Sequence, residues 1–172
     1  MSLIVRAETP ADNAAVALIH QRAFGRESES RLVAAIRESE NYFPALSLVA
    51  VLDEAPAGHI IFSRCHIQST EHSIPALALA PLAVLPEYQN RAVGTALMWE
   101  GLNACRRGRH EIVIVLGHPD YYSRFGFAPA STFGIFPPFP VDDAAFMAQG
   151  LTPDALQGVS GTVQYPSYFD NV

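Results

Sequence analysis

The chain has 172 residues and a mass of 18.7 kDa, the size of one domain built around one hydrophobic core. Hydrophobic residues make up 49% and charged residues 16%, which excludes intrinsic disorder. The net charge is -6, and the 11 basic residues are all arginine with no run longer than Arg106-Arg107. This argues against a general nucleic-acid binder, because counterion release needs a concentrated basic surface. No apolar stretch is long enough for a membrane-spanning helix, and the start, Met1 to Arg6, lacks a basic region leading into an apolar one. A cytoplasmic location without membrane partners is therefore expected. Cys65 and Cys105 lie far apart among apolar neighbours and read as buried reduced thiols; no metal is expected, since no further ligands stand at short spacing.

In chain order, Leu3 to Ala7 alternates as a first strand. Thr9-Pro10-Ala11-Asp12 opens a helix, with a cap residue followed by proline in the first turn, and the helix runs to Gly25. Ser28 is expected to cap a second helix, with Leu32, Val33, Ala35 and Ile36 on one stripe. Leu46 to Leu52 and Gly58 to Ile67 read as an antiparallel hairpin across the turn Asp53-Glu54-Ala55-Pro56. Ile74 to Val84 is a third strand, in which Pro81 predicts a local break in pairing. A polar stretch from Glu87 to Arg91 leads into a helix from about Gly94, with Arg106 and Arg107 in its last turn and Gly108 as its stop. Ile112 to Leu116 is a continuous apolar run of the fully buried kind, and Pro119 starts a short helix that Gly126 ends. Ser131 to Pro140, rich in Phe and Pro, reads as an ordered loop packed on the domain, and Phe146 to Leu151 and Thr162 to Tyr165 read as closing strands. Hairpin and strand-helix-strand units together give an α/β (α+β) domain with a mixed sheet.

The segment with the most chemistry is Leu82 to Leu97: a strand, a polar loop of small residues, then a helix. Free backbone N–H groups and the positive dipole end at such a helix start suit a diphosphate, and Arg91 adds charge-assisted donors. The segment is neither a P-loop nor a Gly-x-Gly-x-x-Gly fingerprint. It resembles the acyl-coenzyme A loop of the GNAT N-acetyltransferases, whose pattern is Gln/Arg-x-x-Gly-x-Gly/Ala. Downstream, Tyr121-Tyr122-Ser123-Arg124-Phe125-Gly126-Phe127 resembles the Tyr-x-x-x-Gly-Phe helix end of that superfamily, and Val115 to Phe127 is similar to its YhbS-like branch. In the register set by Pro86-Glu87-Tyr88-Gln89, Ala92 stands where the pattern has its first glycine and Gly94 takes the second. A shifted register through Arg91, Gly94 and Ala96 also satisfies the pattern.

The resemblance covers most of the chain and implies a single GNAT-like domain over residues 1–172. Its mixed, mostly antiparallel sheet would have bulged, splayed central strands and flanking helices. It also implies an acetyl-CoA-dependent N-acetyltransferase acting on a small-molecule or peptide amine by direct attack; a homodimer is compatible with it. Carried over, the acyl arm lies against Leu82, Ala83 and Val84. The diphosphate lies on Gln89, Asn90, Arg91, Ala92, Val93, Gly94, Thr95 and Ala96, and His118, Tyr121 and Phe125 adjoin the cofactor. Tyr122 takes the place of the proton donor to the leaving thiolate, with Tyr121 as the alternative if the other helix face meets the cofactor. The hairpin loop and Phe133 to Pro140 are expected to border the acceptor. Glu27, Glu29 and Glu87 are available carboxylates, but no base is assigned, and His59 and His66 read as structural or exposed. The alternative function is a non-catalytic acyl-CoA sensor or an interaction module.

Overall fold

In the computed structural model, which describes residues 2–172, strand β1 (Leu3–Ala7) pairs antiparallel with β2 (Tyr42–Leu52), from Leu3 opposite Leu52 to Ala7 opposite Leu48. Met1, the first residue of the segment read for a leader, lies outside the described residues. Strand β2 turns into β3 (Ala55–Gln68) through Asp53 and Glu54, both left-handed at φ 49° and 71°. That is the backbone a two-residue hairpin needs to match the strand twist. The expected four-residue turn is therefore shorter, and Ala55 and Pro56 already belong to the strand. Strand β2 also begins earlier than its apolar run, at Tyr42, with irregular register between Tyr42 and Ser47 and between Ala50 and Val51.

Two compact units divide the chain. The first holds the residues up to Ser63, 80–104 and 167–172; the second holds 64–79 and 105–166. Strands β3 and β4 (Ser73–Val84) and helix α3 (Val93–Arg107) each run from one unit into the other.

In the first unit, Thr9 precedes a 3-10 turn (Pro10–Asp12) that continues as α1 (Asn13–Phe24), and Gly25 closes the helix at φ 68°. Helix α2 (Ser28–Arg37) starts one residue earlier than expected: Ser28 is its first helical residue, and Glu27 holds the cap position without a side-chain cap bond. Val16 of α1 and Leu32, Val33 and Ile36 of α2 pack with Val49 and Ile61 of the sheet. Residues alternate across a strand, so Ile61 faces these helices while Gly58, Ile60 and Phe62 face α3. A Cβ on Gly58 would lie 2.9 Å from Leu97, and one on Gly101 would lie 2.6 Å from Phe62, so both glycines permit close helix-sheet approach.

In the second unit, strand β5 (Ile112–Leu116), buried from Ile112 to Val115 but with Leu116 exposed rather than buried as expected, pairs parallel with β4 at Leu77↔Val113 and Ala78↔Ile114. On its other side it pairs antiparallel with β8 (Phe146–Gly150). Strand β6 (Ala128–Pro129) joins β8, and β9 (Gly161–Gln164) joins β3, both antiparallel. The mixed, mostly antiparallel sheet with flanking helices agrees with the expected fold class. The Phe- and Pro-rich stretch is more regular than a loop: it holds a 3-10 turn (Ala130–Phe133) and strand β7 (Ile135–Phe136), parallel to β9. Helix α3 ends at Arg107, directly before the glycine expected to stop it, although Arg109 rather than Gly108 adopts the left-handed conformation, at φ 62°. No helix among the described residues is long and apolar enough to cross a membrane.

Candidate active site

The loop after β4 is drawn tight by its own backbone. A 3-10 turn (Pro86–Tyr88) follows Leu85, whose N–H donates to Ala57 O at 2.8 Å. The Gln89 amide turns back to Val84 O at 3.4 Å. Asn90 and Ala92 are both left-handed, each at φ 64°, and alternation of this kind turns successive N–H groups toward a common concavity. Ala96 N–H donates to Ala92 O at 3.0 Å, the first bond of α3, so the N–H groups of Val93, Gly94 and Thr95 are the helix's opening donors. Gln89, Asn90, Arg91 and Ala92 are exposed, and Gly94, Thr95 and Ala96 are half-buried. Val93 and Ala83 bury their side chains and offer only backbone, whereas Leu82 and Val84 are half-buried. The helix start, its dipole and Arg91 are groups that could hold a doubly charged anion.

The second motif sits at the end of β5. Gly117 N–H donates to Ala145 O at 2.9 Å, and His118 O accepts from both Tyr121 and Tyr122 N–H at 3.1 Å. This starts α4 (Pro119–Tyr122), which tightens into a 3-10 turn (Ser123–Phe125) ended by Gly126 at φ 99°. The Tyr122 ring stands edge-on to Tyr121 (5.0 Å, 88°) and to Phe127 (6.0 Å, 79°). Burial, then the neighbouring Tyr121, pushes the Tyr122 phenol up to about 12. The Tyr121 phenol is also raised by burial, but the Arg124 guanidinium, 4.8 Å over its ring, opposes the shift. His118 is exposed, while Phe125 is buried and packs its ring 5.3 Å from Tyr121.

The three carboxylates considered as bases are all committed. Glu27 accepts from Arg31, Glu29 from Arg26 and Glu87 from Arg22, at 2.5, 2.5 and 2.6 Å. Sequence reasoning missed a buried polar chain in the first unit. Glu8 pairs with Arg37 at 2.6 Å and accepts from the hydroxyls of Ser47 and Tyr42. Ser47 meets His59 Nε2 at 2.9 Å, and His59 Nδ1 meets His20 Nε2 at 2.8 Å. An ionised carboxylate only accepts, so Ser47 spends its proton on Glu8 and accepts from His59 Nε2–H. His59 Nδ1 in turn accepts from His20 Nε2–H. His20 and His59 are fully buried, and His20 Nδ1 has no hydrogen-bond partner among the described residues. The members come from positions 8 to 59 with no local spacing, so no sequence motif announces them; His59 is structural, as read.

The family described as Acetyltransferase (GNAT) domain matches residues 5–130. The chain is 33% identical over 169 residues to the uncharacterized N-acetyltransferase YhbS of Escherichia coli K12, covering 98% of this chain and 99% of that protein. It is 41% identical over 138 residues to the uncharacterized N-acetyltransferase YjhQ of the same strain, covering 78% and 76%. The crystal structure of Escherichia coli YhbS in complex with CoA superposes with a TM-score of 0.90 at 32% identity, over 98% of this chain and 92% of that one. A GNAT family acetyltransferase from Brucella melitensis in complex with acetyl-CoA gives 0.79 at 29% identity, over 98% and 99%.

Proposed function

Since the chain belongs to the GNAT acetyltransferase family, we propose that residues 1–172 work as one N-acetyltransferase domain that moves the acetyl group of acetyl-CoA to the amine of a small molecule or peptide. The observation that carries this reading is the start of α3, where left-handed Ala92 precedes the opening N–H donors of Val93, Gly94 and Thr95 beside the exposed Arg91. These donors and the helix dipole fit a diphosphate, and two similar proteins bind CoA and acetyl-CoA. The continuity of β3, β4 and α3 through both compact units supports a single working domain.

When bound, acetyl-CoA supplies an activated acetyl group on a thiol leaving group. The N–H groups of Val93, Gly94 and Thr95 bind the diphosphate with Arg91, while Gln89, Asn90, Ala92 and Ala96 shape the turn. The backbone of Leu82, Ala83 and Val84 orients the acyl arm, and His118 and Tyr121 border it, with Phe125 packed beneath Tyr121. Tyr122 keeps its proton at neutral pH, since its phenol is pushed up to about 12, and donates it to the sulfur as the carbon-sulfur bond breaks. Burial also pushes the Cys65 and Cys105 thiols up to about 12, so neither is a nucleophile at neutral pH and the amine attacks directly. Two reduced, buried thiols further support a cytoplasmic location.

Titration with acetyl-CoA and with desulfo-CoA, followed by thermal unfolding, tests cofactor binding. At a concentration about 100 times the dissociation constant, stability should rise by about 2.7 kcal/mol. No shift with either compound at millimolar concentration would overturn the reading. Thiol release with a pooled set of primary amines separates an enzyme from a sensor.

A further inference from the structure

Glycine at 117 is not required by its backbone. Its φ is outside the left-handed range in which Gly25, Gly126, Gly134, Gly158 and Gly161 sit, so any residue could adopt its conformation. Space is what forbids a side chain there. A Cβ on Gly117 would come closer than 3.0 Å to Tyr122 Cε2, and to 3.1 and 3.5 Å of Cδ2 and Cζ. The edge of the ring that carries the hydroxyl therefore rests on the bare backbone of Gly117, with Tyr121 and Phe127 standing edge-on at its other sides.

The other end of the same turn is fixed by a second buried device. Gln149 on β8, 7% exposed, donates its Nε2 to Phe125 O at 2.6 Å. Gly126, next in sequence, is left-handed and would overlap that amide if it carried a Cβ. Gln149 pairs with Val113 across the β5–β8 ladder, and β5 leads directly into Gly117. One pair of strands thus supplies both the floor under Tyr122 and the tether of the turn that carries it. Burying an amide is costly unless it is hydrogen-bonded; Gln149 Nε2 is, but its Oε1 has no partner among the described residues, so the tether to Phe125 O is kept at a net cost.

We propose that Gly117 and Gln149 are positioning residues for acetyl transfer: together they set the depth and tilt at which the Tyr122 phenol is held. The inference rests on the acetyltransferase reading and on Tyr122 as the proton donor. Proton donation in a transition state depends on reach, and a misplacement of about 1 Å costs on the order of 100-fold in rate. Relieving the Gly117→Ala overlap requires a ring displacement of about that size.

The test is a set of variants in steady-state acetyl transfer to whichever pooled primary amine the wild type acetylates, with a cofactor-free tyrosine-labelled NMR spectrum alongside. Gly117→Ala should lower kcat about 100-fold, leave KM for acetyl-CoA within about twofold, and move the Tyr122 ring resonances, which Tyr122→Phe assigns. In the Tyr122→Phe background Gly117→Ala should lower kcat no further, an outcome a merely structural role does not produce. Gln149→Met, which keeps the side-chain volume and removes the donor, should follow the same pattern and stands in if Gly117→Ala does not fold. Unchanged kcat in both variants, or losses that multiply with that of Tyr122→Phe, would overturn the inference while leaving the acetyltransferase reading intact. A wild type that acetylates no amine and shows no cofactor-induced stabilisation overturns that reading, and this inference with it. A wild type that turns over but tolerates Tyr122→Phe removes the donor role and the positioning role alone.

Discussion

Tyr121 and Tyr122 are adjacent on one turn but sit in different surroundings. Tyr122 is the more enclosed, wedged between Gly117, Tyr121 and Phe127, whereas Tyr121 lies under the Arg124 guanidinium. A phenol held above its ordinary range keeps its proton at neutral pH and still exceeds a departing thiol, ordinarily near 8.5, by only a few units. Tyr122→Phe keeps the ring packing and removes the hydroxyl, so turnover should fall by at least about 100-fold with melting temperature nearly unchanged; Tyr121→Phe should be mild. Kinetics on both variants decide it, and a severe Tyr121 effect beside a mild Tyr122 effect would move the donor to the other residue. Ala92 presents a different residue-scale tension. At φ 64° it holds a conformation that costs a residue with a Cβ about 1–2 kcal/mol, where the family pattern has glycine. Ala92→Gly should raise stability by up to about 1 kcal/mol after the added backbone entropy of glycine, and lower KM for acetyl-CoA by opening the approach to the loop's N–H groups. A drop in both melting temperature and cofactor affinity would show that the methyl packs usefully.

At the scale of elements, the segment from Phe133 to Pro140 forms part of the sheet margin yet keeps apolar rings outside. Phe136 is 49% exposed at the end of β7, and Phe139, 41% exposed, stacks on Tyr165 with ring centroids 6.1 Å apart. Exposure of this size separates Phe136 from the core, so Phe136→Ala should leave melting temperature within about 2 °C, since surface changes stay within about 0.5 kcal/mol. If the segment borders the acceptor, KM for the amine should rise several-fold while KM for acetyl-CoA holds. Equal changes in both constants would remove the segment from the acceptor side. Most elements were legible because their signals are local. Alternation marks β1, the apolar run Ile112 to Leu116 marks β5, and Pro119 and Gly126 bracket the tyrosine turn. The start of α3 was readable to within one residue from the polar run before it. What escaped depends on partners distant in sequence. Strand β7 exists because β9 lies beside it, the early start of β3 follows from the tight Asp53-Glu54 turn, and the left-handed backbone at Ala92 runs against its own side-chain preference. The use of Gly117 as a floor was equally hidden, since nothing in a glycine codon position distinguishes space from φ.

At the scale of the molecule, the buried chain from Glu8 to His20 makes stability depend on acid. It ties the residue that follows β1 to α1, α2, β2 and β3, and the charged and titratable groups facing it are Glu8, Asp12, Arg37 and Tyr42. Burial, reinforced by His59 and Arg37, lowers the His20 imidazole to about 3, and burial lowers His59 against the pull of Glu8. Burial alone would raise the Glu8 carboxyl, but the neighbouring His59 imidazole and the Arg37 and Ser47 donors outweigh it and bring it to about 2. The signs follow from which state binds the proton. Both histidines are depressed in the folded protein, so below the ordinary value of 6.5 the unfolded chain takes up protons that the folded chain refuses. Their contribution is complete above pH 6.5 and is lost as pH falls toward 3. Glu8 adds a second loss, beginning near its ordinary 4.5 and running toward 2. Each depressed histidine should cost about 1.4 kcal/mol per pH unit below its unfolded value. Melting temperature measured from pH 7.5 to 4 should therefore be flat above pH 7 and fall with a slope of at least about two protons between pH 6 and 5, to which His110, lowered by burial and Arg64, adds. His20→Gln retains a donor for His59 Nδ1 and removes one titrating ring, so its slope should drop by about one proton. A wild-type curve that stays level to pH 5, or a His20→Gln curve of undiminished slope, would mean that the two imidazoles accept protons in the folded state and that the hydrogen-bond direction from His20 to Glu8 is not fixed.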